Sequence, residues 1–150
     1  MTVTSAFATI TDSISNLDIT GVSIRDIDQI PDSAMGLTPL LIPQPNDFVT
    51  EYDAEFVSFG SNGTAKIDLK YKLNYVYLHA EVGSGVSTYE IYAGLIANLS
   101  AILVAILSND AITGLIDMKP KIGRIGPIED PSGNQFWGVL FSFPILEYAQ

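Results

Sequence analysis

The chain has 150 residues, 17 acidic and 7 basic side chains, a formal net charge of −10 and no cysteine. That length suits one domain with its own core, and the missing thiols exclude disulfides and thiolate metal sites. The acidic balance argues against a surface built to grip nucleic acid, which needs positive charge to displace counterions.

In chain order, residues 2 to 17 read as a first helix. Val3, Phe7, Ile10, Ile14 and Leu17 recur at three- and four-residue steps, while Thr4, Thr11, Asp12, Ser15 and Asn16 fall off that line. Its many Thr and Ser residues are weak helix formers, so packing must hold it. Val22, Ile24 and, after a shift of phase, Ile27 suggest a first strand that Pro31 ends. Residues 37 to 42 form a short buried run closed by Pro43 and Pro45.

Asp47 to Phe59 reads as extended, followed by Gly60-Ser61-Asn62-Gly63, a hairpin connection with positive-φ residues available. The next strand has the cleanest pattern. Ile67, Leu69, Tyr71, Leu73, Tyr75 and Tyr77 alternate with Lys66, Asp68, Lys70, Lys72 and Asn74, and Val76 and Leu78 make the far end apolar on both faces.

Val86 to Asp110 predicts a long helix. Ser87 and Glu90 form an S-x-x-E capping signature, and no charge or proline follows until Asp110. One side collects Ile91, Tyr92, Leu95, Ile96, Leu99, Ile102, Leu103, Ile106 and Leu107. The other collects Ala93, Gly94, Ala97, Ala101 and Ala105, beside Val104, Asn98 and Ser100. A helix with almost no polar face is buried on both sides, and in so short a chain the second cover is expected from another subunit. Ala93, Ala97, Ala101 and Ala105 are therefore the expected subunit contact. The composition agrees: hydrophobic residues reach 47% and charged ones only 16%, too few charges for an ordinary surface.

A membrane span is the rival reading of this helix. Asn98 and Ser100 sit mid-run, Glu90 and Asp110 flank it in place of Lys or Arg, and no aromatic belt closes its C-terminal end. The N-terminus lacks the cationic region and apolar core of an export signal. No membrane is expected.

Lys121 to Ile128 and Gln135 to Tyr148 then form a second hairpin around Glu129-Asp130-Pro131-Ser132-Gly133-Asn134. Residues 1–150 thus read as a single α+β domain, with two helices packed on one face of a largely antiparallel β-sheet with hairpins.

The sequence carries few chemical motifs. His79 falls on the apolar face of its strand, has no second histidine to share a metal and, since base work also needs a partner that orients the ring, reads as a half-buried structural residue. Asp26, Asp28 and Asp32 are spaced like part of an oxygen-ligand cluster, but the glycine and later glutamate of a calcium loop are missing. Gly83-Ser84-Gly85 precedes a helix N-terminus without the lysine of a P-loop or the acid of a dinucleotide site. The chain is not expected to be an enzyme, and no catalytic residue, metal or cofactor is assigned.

Charge is unevenly placed. Asp12, Asp18, Asp26, Asp28, Asp32, Asp47, Glu51, Asp53 and Glu55 face only Arg25 between residues 12 and 55. The bases fall later, at Lys66, Lys70 and Lys72 and at Lys119, Lys121 and Arg124. Solvated surface explains this, as does head-to-tail stacking of an acidic patch on a basic one, or a ring with an acidic lumen.

The order of elements resembles a known family. A polar helix leads through a strand to the Pro-rich stretch Ile30-Pro31 and Thr38-Pro39-Leu40-Leu41-Ile42-Pro43-Gln44-Pro45. A hairpin with the long alternating strand Lys66 to Leu78, a long helix and a terminal hairpin follow. This is similar to the tail-terminator (tail-completion or neck) proteins of long-tailed bacteriophages. The resemblance implies a small α/β virion protein, assembled in the host cytoplasm, that forms a homohexameric ring. Such a ring caps the tail tube, stops its polymerisation and provides the joint to the head-completion connector, while genomic DNA passes through its lumen without tight binding. On this reading the tube-docking or lumen segment is drawn from Asp47, Glu51, Asp53, Glu55, Ser61 and Asn62, with the strand lysines elsewhere. The alternatives are a head-side connector or minor tail-tube subunit, or a non-viral small-molecule binding module with Tyr71, Tyr75 and Tyr77 lining a pocket.

Overall fold

In the computed structural model, which describes residues 3–59, 65–83, 85–113 and 119–149, nine α-helices and strands follow one another, with a 3-10 turn (Ile27–Gln29) between the first two strands. They are α1 (Val3–Ser15), β1 (Ser23–Ile24), β2 (Leu40–Pro43), β3 (Val49–Phe59), β4 (Ala65–Glu81), α2 (Thr88–Leu107), α3 (Asp110–Thr113), β5 (Lys121–Glu129) and β6 (Gln135–Ala149). The six strands make one sheet in the order β1-β2-β4-β6-β5, with β3 also on β4. Every pair is antiparallel except β1 with β2.

The alternating strand is the spine of this sheet. β4 is long enough to carry two strands end to end along one edge: β3 opposite Ala65 to Leu73, and β2 opposite Tyr75 to Leu78. Its other edge pairs with β6 from Ile67 to Glu81. The period of two decides what each face meets. Tyr71, Leu73, Tyr75 and Tyr77 are buried under the helices, together with Val139, Phe141, Phe143 and Ile145 of β6. α1 adds Ile10 and Ile14, α2 adds Leu95, Leu99, Ile102 and Ile106, and α3 adds Ile112 to the same cluster. Burying each such side chain stabilises the fold by about 1.5–3 kcal/mol.

The opposite face is half covered. Ala34 packs there on Leu40, Ile42, Val76, Leu78 and Phe136. Asp130 fastens that segment. Its carboxylate accepts the Ala34 N–H at 2.8 Å, the Ser132 and Asn134 N–H groups at 3.0 and 2.9 Å, and the Asn134 side-chain amide at 3.1 Å. Burial alone would raise its pKa, but the donors, led by Ala34, outweigh that and hold it below the usual range.

The α+β class, the antiparallel sheet and the helices on one face agree with the sequence reading. Details differ where local competition wins. β1 has only two residues; Ile27 belongs to a 3-10 turn whose first N–H is capped by Asp26 at 2.7 Å. The buried run is Leu40–Pro43, which forms β2 and ends with Pro43 opposite Tyr75, whereas Leu37, Thr38 and Pro39 are half-buried. A third short helix follows α2, where the Asn109 side chain accepts the Ala111 N–H. The Gly60 to Gly63 connection lies outside the described residues, although β3 and β4 pair as its two arms.

Candidate functional site

The expected contact surface is built from α2. Ser87 Oγ accepts the Glu90 N–H at 3.3 Å and starts the helix; at its end the Ser108 N–H bonds back to Val104 O. Ile91, Leu95, Leu99, Ile102 and Ile106 are buried, a stripe spaced by three and four residues. The opposite side carries Ala93, Ala97, Ala101, Ile96, Val104 and Leu107, all exposed, with Val104 at 65%. Ile96 and Leu107, assigned by sequence to the sheet-facing side, point outward because five residues already fill the contact with the sheet. By length and composition the helix could also cross a bilayer, yet one of its faces lies on β4 and β6.

The small-residue stripe therefore divides. Ala93, Ala97 and Ala101 are exposed, whereas Ala105 is half-buried and packs against the main core. Gly94 also turns inward, where its missing side chain makes room for the ring of His79. Ala105, expected at the subunit contact, is thus shared with the core of its own copy.

His79 belongs to a polar chain between β4 and α2. Asn98 Nδ2 donates to the Tyr77 hydroxyl at 2.7 Å, and that hydroxyl lies 2.6 Å from His79 Nδ1. The Tyr77 oxygen accepts from Asn98, and the histidine tautomer sets which of the hydroxyl and Nδ1 donates in the second bond. Burial pushes the Tyr77 phenol up to about 12 and holds His79 below its usual value. Both groups are thereby kept neutral. The chain explains a mid-helix asparagine, which the sequence reading treated only as an argument against a membrane.

The second expected surface is β3. Glu51, Asp53 and Glu55 are exposed along it, with Asp47 just before it; Ser61 and Asn62 lie outside the described residues. The structure corrects the expectation that the lysines sit elsewhere. Asp53 is directly opposite Lys70, and Glu51 bonds Lys72 at 2.7 Å, which lowers the Glu51 pKa. Glu51 sits at a bulge with φ of 54° and is thereby turned toward that lysine. Sequence distance separates these charges, but the hairpin folds them onto one face. Glu55 differs: it is opposite Asp68.

The remaining candidates acquire structural roles. Tyr71, Tyr75 and Tyr77 are at most 3% exposed and fill the core instead of lining a pocket, with Tyr52 stacked on Tyr71 at 5.3 Å. Asp26 caps the 3-10 turn that contains Asp28, which accounts for their spacing. Gly83 and Gly85 adopt positive φ before α2; Ser84 lies outside the described residues. Among the described residues no group of three or more His, Asp and Glu is gathered as a metal site would require. The sheet face away from the helices has a recess of about 160 Å³ between Ile42, Val76, Leu78, Ile128 and Leu140.

The second basic group noted in the sequence lies on an edge strand whose two faces differ. β5 exposes Lys121 and Arg124 on the face away from the helices, and Ile122 and Ile125 on the helix face. A bulge between Ile122 and Arg124 breaks the period of two that would have revealed it. No protein-family model matches the chain, and no curated protein matches it either.

Proposed function

We infer that the chain is a structural protein of a long-tailed phage virion, assembled in the host cytoplasm. Its copies form a closed, hexameric ring that caps the tail tube, ends tube polymerisation and provides the joint to the head connector. The observation that carries assembly is the outward face of α2. A twenty-residue helix turns Ala93, Ile96, Ala97, Ala101, Val104 and Leu107 away from the fold, where water is a poor neighbour. Small residues let another backbone approach closely, which suits a second copy. The tail-terminator reading rests on the resemblance in element order: a polar helix, a Pro-rich crossing, a long hairpin, a long helix and a terminal hairpin.

In this role the protein needs no cofactor, metal or membrane; its partners are itself, the tube protein and the head-completion protein. DNA passes through the lumen without tight binding, since a chain of net charge −10 repels phosphates overall. Two measurements test the reading. Purified protein should sediment as a closed ring, and phage lacking the gene should make tubes of overlong, irregular length. Normal tails that fail only to join heads would place the protein on the head side of the connector. Open-ended polymers would make it a tube subunit.

A further inference from the structure

Three strands lie at the edges of the sheet, β1, β3 and β5, and the two long ones, β3 and β5, are of opposite charge. β3 carries Glu51, Asp53 and Glu55 and no base, while β5 carries Lys121 and Arg124, with Lys119 just before it and an acid only at its far end, Glu129. Among the described residues no strand pairs with the outer edge of either. An open edge presents a row of backbone donors and acceptors that another strand can satisfy. We propose that the ring is closed by these two edges, β5 of one copy adding to β3 of the next to continue the sheet.

Three features fit a second copy as the occupant. The first is direction. β3 is antiparallel to β4, β4 to β6 and β6 to β5, so β3 and β5 run in opposite senses. A neighbour in the same orientation therefore brings its β3 antiparallel to β5, and the alternation continues unbroken.

The second is the match of faces. Asp53 and Glu55 share the face of Lys70 and Asp68, away from the helices; Lys121 and Arg124 share the same face through Ser142 and Leu140. On the helix face Tyr52, 54% exposed, lies over Tyr71, and Ile122 and Ile125 are 37% and 39% exposed. Joining the edges sets acid beside base on one side of the sheet and apolar beside apolar on the other.

The third is unmet charge. Glu51 has Lys72 and Asp53 faces Lys70, but Glu55 faces Asp68, an unfavourable like-charge pair. Lys121 already lies near enough to Glu51 to help lower its pKa, whereas Arg124 makes no ion pair among the described residues. A neighbour's Arg124 near Glu55 relieves both. The two edges are also staggered, because β3 pairs with the first half of β4 whereas β5 lies level with its second half. Closure therefore tilts the strands against the ring axis, as in a barrel.

This joint rests on the ring reading, and the test keeps the two apart. Self-association of the full chain is measured by sedimentation for wild type, Glu55→Arg, Arg124→Glu and the double exchange. Each single reversal should weaken assembly about tenfold, and the pair should restore most of it. Hydrogen exchange on the wild-type chain gives an answer that no misfolded variant can blur: assembly should protect amides of Val49–Val57 and Lys121–Ile125. A ring that forms with no added protection there, and survives both single reversals, overturns the strand joint and leaves the ring reading standing. A wild-type chain that stays monomeric at all concentrations overturns both. Normal tail lengths in phage lacking the gene, with the joint intact, overturn only the assigned role.

Discussion

The ring of His79 lies so close to Gly94 that a Cβ on the glycine would stand 2.8 Å from His79 Nε2. The ring cannot simply swing away, because Nδ1 is held by the Tyr77 hydroxyl and that hydroxyl by Asn98. On an open helix surface Gly→Ala gains about 1 kcal/mol of helix propensity. Here Gly94→Ala should instead lose roughly 1 kcal/mol as the Tyr77–His79 bond breaks. In a His79→Ala background the same change should become stabilising. Denaturant titration of the four proteins measures that reversal, and equal effects in both backgrounds would refute the contact.

Burial holds the His79 pKa below its usual value. The unfolded chain therefore binds this proton more readily than the folded one. The associated stability is fully present above the unfolded pKa, about 6.5, and is lost as pH falls through the folded pKa. Relative to His79→Gln, the parent protein should lose stability on acidification below about pH 6.5. Parallel curves for the two proteins would contradict the burial of the imidazole.

Asp130 couples the β5–β6 turn to the segment at Ala34. Asp130→Ala leaves the Ala34 N–H, on a residue only 1% exposed, without its acceptor. The loss should be about 1–3 kcal/mol. Its folded pKa is depressed, so the stabilisation is present above about pH 4 and disappears as the carboxylate protonates below that. Thermal unfolding of wild type and Asp130→Ala from pH 3 to 7 should show the two curves converging in acid.

α2 offers an internal control for assembly. Ala97 is exposed and Ala105 packs against the core. Ala97→Leu should weaken association with little change in monomer stability, whereas Ala105→Leu should cost about 1–3 kcal/mol of folding through overpacking. Sedimentation and denaturation of both variants separate the effects. A ring unchanged by Ala97→Leu would remove this face from the contact.

Local pattern determined much of the architecture. The period of two from Ile67 to Tyr77 fixed a long strand and the face that its tyrosines turn to the core, because neither depends on distant residues. The cap at Ser87 and the uncharged run fixed α2, and the turn residues around Asp130 fixed the last hairpin. What needed the third dimension was which side of each element meets what. Gly94 and Ala105 look like their neighbours Ala97 and Ala101 in sequence, but the approach of His79 on β4 decides that Gly94 faces inward, and packing on the core decides it for Ala105. The lysines and acids stand twenty residues apart along the chain, yet the register of β3 on β4 sets Glu51 against Lys72 and Asp53 against Lys70, and leaves Glu55 opposite Asp68. Side-chain pattern is local and periodic, so the chain carries it openly. Register and edges arise only when strands far apart in sequence are paired, and bulges such as those at Glu51 and Gly123 shift the phase on which a purely sequential reading depends.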